Sequence, residues 1–394
     1  MGTLSITDLA APLKELYPDG MDESLIMKDH KFLPMLQRRR DFGGRYLHIP
    51  VRYLKPNSRS HVFSTARTNA AESAYVGFDV TRVNDYGVAT IDGEAVDAGK
   101  MGDATIFIDA LEAETTGALS TLGDNLAKEA YRNVSGSRGQ VGSGTSSPIT
   151  LSNVEDIYFF EVGMVIAAND SDDATSPRSG TGTITAIDED AGTITYTGTI
   201  TSLAVGDYLF QTADDMNTAA AGLAAWCPSS APTSTTFFGV NRSSQPTRLG
   251  GIRFDGSTFA AEEVFIKARS RCMRAGFQPD YWFMNPSDMA NFATALSGQK
   301  QIVNSNEYDM GFDVVTAYGV KIVEDADCPK GTAWGVSMDN FGWATMGDAP
   351  RVINEDGLEL LRASDSDSYE LRVVSRHNFW CDAPGRLIRV TLPT

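Results

Sequence analysis

No run of eighteen apolar residues occurs in the 394-residue chain, and the nearest, Ile157 to Ala168, is interrupted by Glu161. A membrane-spanning helix is therefore not expected. The N-terminus, MGTLSITDLAAPLKELYPDG, lacks the charged start, apolar centre and cleavage site of a secretory signal. Ile6 stands where a myristoylated Gly2 would want Ser or Thr. Cysteine is sparse, and Cys227, Cys272, Cys328 and Cys381 form no C-x-x-C pair. That spacing speaks against a zinc site and a disulfide framework and suits a reducing cytosol. Histidine is equally sparse. His30, His48, His61 and His377 lie in different segments, so each reads as a surface or packed residue. There is no G-x-S-x-G elbow, no H-E-x-x-H, no Walker loop and no glycine fingerprint after a strand. Neither enzymatic activity nor a cofactor is expected.

Basic residues are unevenly scarce. Residues 150–216 hold twelve acids and one base, Arg178, whereas residues 1–60 hold ten Lys/Arg and seven Asp/Glu. The middle segment thus carries well over half of the net charge of −18. Such a surface repels polyanions, so tight direct nucleic-acid binding is not expected of the chain as a whole.

Within that segment, GTGTITAIDEDAGTITYTG (180–198) reads as a β-hairpin, with β-branched residues at period two around a Gly-bearing acidic turn. The phrases FEVGMVI (160–166) and LAVGDYLF (203–210) each enter an apolar strand through Val-Gly. Together they predict a small barrel or sandwich with a core of Ile166, Ile184, Ile187, Ile194, Tyr196, Leu203, Val205 and Leu209. The run NDSDD (Asn169–Asp173) lacks the Gly and distal Glu of a calcium loop and reads as a solvated turn.

Residues 1–41 carry too little periodic apolar surface for a domain and read as an extended arm ending in Arg38, Arg39 and Arg40. GGRYLHIPVRYL and AYVGFDVTRVNDYGVATI read as long strands flanking a polar tip with Lys55, Arg59 and Arg67, a hairpin that projects. A helix of about thirty residues is expected over 103–134, roughly 45 Å long at 1.5 Å per residue. Its apolar face is Leu111, Thr115, Ala118, Leu122 and Leu126. VSGSRGQVGSGTSSP then reads as a flexible linker. Beyond Ala219 the pattern turns α/β: a helix over Phe259–Gly276, the strand DYWFM, a helix from Pro286 begun by Asn-Pro, and YGVKIVED and GTAWGVSM. YELRVVSRHNFW and GRLIRVTLP close the chain as long strands.

This order resembles the tailed-bacteriophage major capsid protein with the Hong Kong 97 phage fold, an α+β fold. TTGALSTLGDNLAKEAYRN is similar to a spine helix, AAGLAAWCP and FFGVNRSSQPTRLGG to the start of an axial domain, and FQPDYWFMNPSDMANF to that domain's strand and helix. The resemblance implies an N-terminal arm (1–41), an E-loop with adjoining strands (42–100), and a spine helix and linker of the peripheral domain (101–145). An axial α/β domain (217–350) and C-terminal strands returning to the peripheral domain (351–394) follow. Residues 146–216 fall outside the resemblance and read as an inserted acidic all-β domain on an exposed loop.

The implied function is structural: pentamers and hexamers closing into an icosahedral shell around double-stranded DNA held without sequence-specific contacts. The implied partners are the chain itself, a portal, and scaffolding or decoration proteins, without a membrane. The implied location is the virion capsid, assembled in the bacterial host cytoplasm. Because the arm begins near Met1, any scaffold is expected to be a separate protein. Arg38, Arg39, Arg40, Lys55, Arg59 and Arg67 are the inter-subunit candidates. Lys55 with Asn354 and Glu355 could be set beside the cross-linking residues of the fold's namesake, but nothing in the sequence brings them together. Three alternatives stay open: an encapsulin-like nanocompartment, a tail or fibre adhesin, and a β-rich glycan-active enzyme. The last would need paired carboxylates in a cleft, which adjacent Asp188 and Glu189 on a turn supply poorly.

Overall fold

The computed structural model describes residues 28–93, 104–172, 175–212, 214–296, 315–317, 319–353, 360–362 and 366–393. The readings of residues 1–27, Asn354 and Glu355 lie outside this set. Among the described residues, strands form two six-stranded sheets, a closed barrel, a long hairpin and a short two-stranded ribbon.

The first sheet is built around Ser368–Cys381. Val83–Asp92 runs antiparallel along one side, while Leu360–Arg362, Arg351–Val352 and Phe341–Thr345 share the other. Gln37–Arg39 completes it, parallel to Phe341–Thr345. The second sheet has the order Ile252–Asp255, Leu387–Thr391, Thr332–Val336, Tyr281–Met284, Val320–Glu324, Val315–Ala317. Its period-two side chains separate two cores. Trp282 and Met284 face the helices Ala261–Ala275 and Pro286–Leu296, whereas Phe283 turns to the main core.

The helix expected over 103–134 spans Ala104–Tyr131. Leu122 packs on Leu371 and Val373, while Leu126, Ala130 and Tyr131 enter the main core, so a four-residue spacing aims one stripe inward. Gly222 lets the chain cross this helix, since a Cβ there would collide with the Glu129 and Ala130 carbonyls. Gly123 is different: nothing lies within 4 Å of where its Cβ would be. Gly123→Ala is expected to stabilise the subunit by about 1 kcal/mol, read as a raised urea midpoint at unchanged slope.

The barrel closes in the order Tyr208–Gln211, Gly139–Ser143, Ile149–Leu151, Thr193–Gly198, Gly182–Asp188, Val165–Asn169. The two Val-Gly phrases lead into neighbouring antiparallel strands, Leu209 opposite Ala168, after turns in which Gly163 and Gly206 have φ of 92° and 95°. Ile166, Ile184, Ile194, Tyr196, Leu203 and Leu209 are buried with Val141, Ile149 and Phe160, and Ile187 packs beside them. Val205 is the exception: it sits in the turn and is 59% exposed.

Four expectations change. The barrel begins before residue 146, because Gly139–Ser143 is one of its strands and Val141 is fully buried. The Gly/Ser stretch is therefore no free linker; Ser135, Ser137 and Arg138 are buried too. The run from Ala74 is not one strand but breaks at Arg82, after which Val83–Asp92 pairs with Ser368–Cys381. Among the late strands, Leu387–Thr391 joins the second sheet, and Phe341–Thr345 from the 217–350 segment joins the first. Period-two patterning shows which faces are buried but leaves the pairing partner open. Finally, residues 28–42 are no free arm, since Phe32, Leu36 and Phe42 are core residues.

Candidate functional site

Three features stand out once the sheets are in place: the hairpin tip, the arm's basic run, and the charged seam between helix, barrel and sheets. The hairpin strands Tyr46–Leu54 and Ala74–Thr81 pair with Ile49 opposite Phe78. At their base Ile49, Val51, Phe78 and Val80 are buried, so the hairpin is anchored in the main core. Phe78 meets Trp226 edge-on at 5.1 Å, and Arg248 Nη1 donates to the Tyr53 carbonyl at 2.6 Å. Beyond Leu54 the chain is almost wholly exposed and contains a short helix, Phe63–Thr68, with no buried residue. Lys55, Arg59 and Arg67 are exposed on this tip, together with Val62 at 57% and Phe63 at 83%. A basic tip carrying an aromatic ring in water is a surface suited to a partner.

The arm's basic run is largely occupied within the chain. The Arg38 guanidinium lies 4.6 Å from the Trp343 ring centre and donates to the Ala349 carbonyl at 3.1 Å. Arg39 stacks over Trp380 at 3.7 Å. Arg40 is exposed and pairs with Asp348 at 3.1 Å. These cations hold the edge strand Gln37–Arg39 onto the first sheet.

The seam was not legible from the sequence. Glu129, on the long helix, is buried beside His377 of the central strand: Oε2 meets His377 Nε2 at 3.2 Å and accepts the Ala220 N–H at 3.2 Å. Burial pushes the Glu129 carboxyl up, but His377, Lys128 and the Ala220 N–H outweigh it and hold it below the usual range. The neighbouring Lys128 is pushed down to about 7, chiefly by burial and then by Arg138. In the segment after the helix, Arg132 bonds Asp156 of the barrel at 2.8 Å, and Arg138 donates to the Phe159 carbonyl at 3.1 Å and to Gln211. Asp172 accepts from Asn133, Ser135 and Ser137, so the acidic run is not simply a solvated turn but ties the barrel to the segment that follows the helix. Asp188 accepts the Ala191 N–H and shapes the hairpin turn.

His30 is the other hidden member. Its Nδ1 lies 2.7 Å from Asp327 and its Nε2 2.8 Å from Asp124 of the long helix. Sequence separations of 297 and 94 residues conceal both contacts. No spacing rule could have found them.

No family model matches the sequence, and no curated protein does. Solved structures do match. The cyanophage A-1(L) capsid asymmetric unit aligns over 96% of this chain and 95% of that one, at 10% identity and a TM-score of 0.54. The capsid of the native GTA particle aligns over 100% of both chains, at 8% identity and a TM-score of 0.50. The chain has a phage-capsid fold.

Cavities of about 50 Å³ beside Phe265 and Phe292 and about 30 Å³ beside Lys128 and Asp215 have room for a few waters each. Among the described residues no group of three His, Cys, Asp or Glu could hold a metal ion. No helix of the described residues is long and apolar enough to cross a membrane.

Proposed function

We propose that this chain is a major capsid protein whose copies form pentamers and hexamers and close into an icosahedral shell enclosing double-stranded DNA. The observation that carries this reading is the hairpin: its base is locked into the subunit core while its tip offers Phe63, Arg59 and Arg67 to solvent. In this reading residues 28–41 close the arm, the hairpin is the E-loop, Ala104–Tyr131 the spine helix, and the first sheet the peripheral domain. The second sheet with its two helices is the axial domain, and the barrel is an insertion carried on the outer face. Lys55, Arg59 and Arg67 meet acidic edges of a neighbouring copy, with Arg40 as a lesser contact. Such charge pairing fixes register and rejects wrong neighbours more than it adds affinity. Net charge of −18 leaves the wall with little attraction for DNA, which must be delivered by a motor acting through a portal.

The test is direct. Expressed protein should sediment as megadalton particles that negative-stain microscopy shows to be closed shells. The double variant Arg59→Glu/Arg67→Glu should abolish the particles and leave the far-ultraviolet circular dichroism of the subunit unchanged, because neither side chain contributes to a core. Unfolding of that variant would refute the projecting tip. Nuclease-protected DNA inside particles from phage-producing cells separates a virion shell from a compartment that holds protein cargo.

A further inference from the structure

We propose that His30 is a charge-dependent latch that closes residues 28–36 across the seam joining the long helix, the barrel and the second sheet. All of the latch's contacts lie within the single chain, so the latch stands or falls independently of shell assembly.

Both ring nitrogens of His30 face carboxylate oxygens, Nδ1 at 2.7 Å from Asp327 and Nε2 at 2.8 Å from Asp124. A neutral imidazole has one donor and one acceptor, so its lone pair would point at one of these anions. Only the imidazolium satisfies both. The ring is 15% exposed, which shields the pair from solvent screening. Its neighbours continue the strap. Lys28 donates to the Tyr158 carbonyl and to Glu161 of the barrel, both at 3.0 Å, and lies 3.7 Å from Asp124. The Phe32 N–H donates to Asp325 at 2.9 Å, and that carboxylate also accepts from the Tyr131 hydroxyl at 2.9 Å. The Phe32 ring then packs at 4.6 Å from Phe283 and 4.9 Å from Tyr131.

The groups meeting His30 are Asp124 from the helix and Asp327 from the loop after Val320–Glu324; around them Asp325 holds Phe32, and Tyr158 and Glu161 of the barrel hold Lys28 of the strap. Anions dominate. Without the imidazolium, Asp327 would lose the cation at its side and Asp124 would keep only Lys28 at 3.7 Å. Burial opposes the charged ring, but the two hydrogen bonds and the two charges outweigh it and raise its pKa to about 10. An undocked strap would carry an ordinary histidine near 6.5. Docking is accordingly strongest below pH ~6.5 and weakens by up to about tenfold per pH unit as pH rises from there towards 10.

Two measurements on the full chain decide it. With [13Cε1]-histidine labelling, and His30 assigned by its loss in His30→Gln, the His30 resonance should stay that of an imidazolium beyond pH 8.5. Titration between pH 6 and 7 would overturn the proposal. Asp124→Asn keeps the helix and removes one anion, and it should lower the His30 midpoint by at least one pH unit; an unchanged midpoint also overturns it. The second measurement places a spin label at the exposed position 29 through Asp29→Cys. At pH 7 the label should be immobilised with His30 intact and mobile in the His30→Gln background. Equal line shapes would show that packing of Phe32 alone holds the strap.

Discussion

Excising residues 146–216 behind a short Gly/Ser loop should yield aggregates or an unfolded chain. The cut removes five barrel strands and leaves Gly139–Ser143 without either neighbour, with Val141 exposed. It also takes away Asp156 and Asp172, and with them the acceptors of Arg132, Asn133, Ser135 and Ser137. Arg138 loses the Phe159 carbonyl and Gln211. Breaking a buried ion pair by removing one partner costs about 3–5 kcal/mol. That one loss, at Arg132 without Asp156, is already a large part of the stability of a domain, roughly 5–15 kcal/mol, before the opened barrel is counted. Size-exclusion chromatography and circular dichroism of the excised protein provide the check. A soluble, folded subunit would show that these contacts contribute little and that the barrel is a detachable knob.

Glu129→Ala is expected to destabilise the soluble subunit by about 3–5 kcal/mol. The change removes the acceptor of His377 at 0% exposure, of the Ala220 N–H and of Asn125, and the counter-charge of Lys128 at 3%. Glu129→Gln retains hydrogen-bonding capacity and removes the charge, so its loss should be smaller, near 1–2 kcal/mol. Because the Glu129 carboxyl is held below its unfolded value, its contribution is complete above the unfolded pKa and disappears as pH falls through the folded one. Urea denaturation of the wild type and both variants at pH 7 and pH 4 tests the order and the sign. Equal stability of the alanine variant would mean that water replaces the carboxylate without penalty.

Local pattern carried much of this molecule. The hairpin around Asp188 to Asp190, the repeated Val-Gly turns, the long helix, the Asn-Pro helix start and the final strands are all written in spacings of two to four residues. Side-chain alternation and the i, i+4 stripe decide these elements before any tertiary contact exists. The barrel core followed for the same reason, with Val205 lost because it stands in the turn before the strand rather than within it.

Pairing partners were decided by the folded chain alone. Nothing local says that Val83–Asp92 leaves the hairpin for a strand almost three hundred residues later, or that Leu387–Thr391 closes the second sheet. The Gly/Ser stretch shows the limit from the other side. Its composition signals freedom, yet Ser135, Ser137 and Arg138 are buried because the barrel and the long helix meet there. Arg38 and Arg39 look like a solvated run until Trp343 and Trp380 are brought beneath them. The same holds for the candidate site. The tip cations were visible in sequence because exposed polar residues need no partner to be recognised. His30 and Glu129 were not, because a buried charge takes its meaning from the counter-charges that folding places around it.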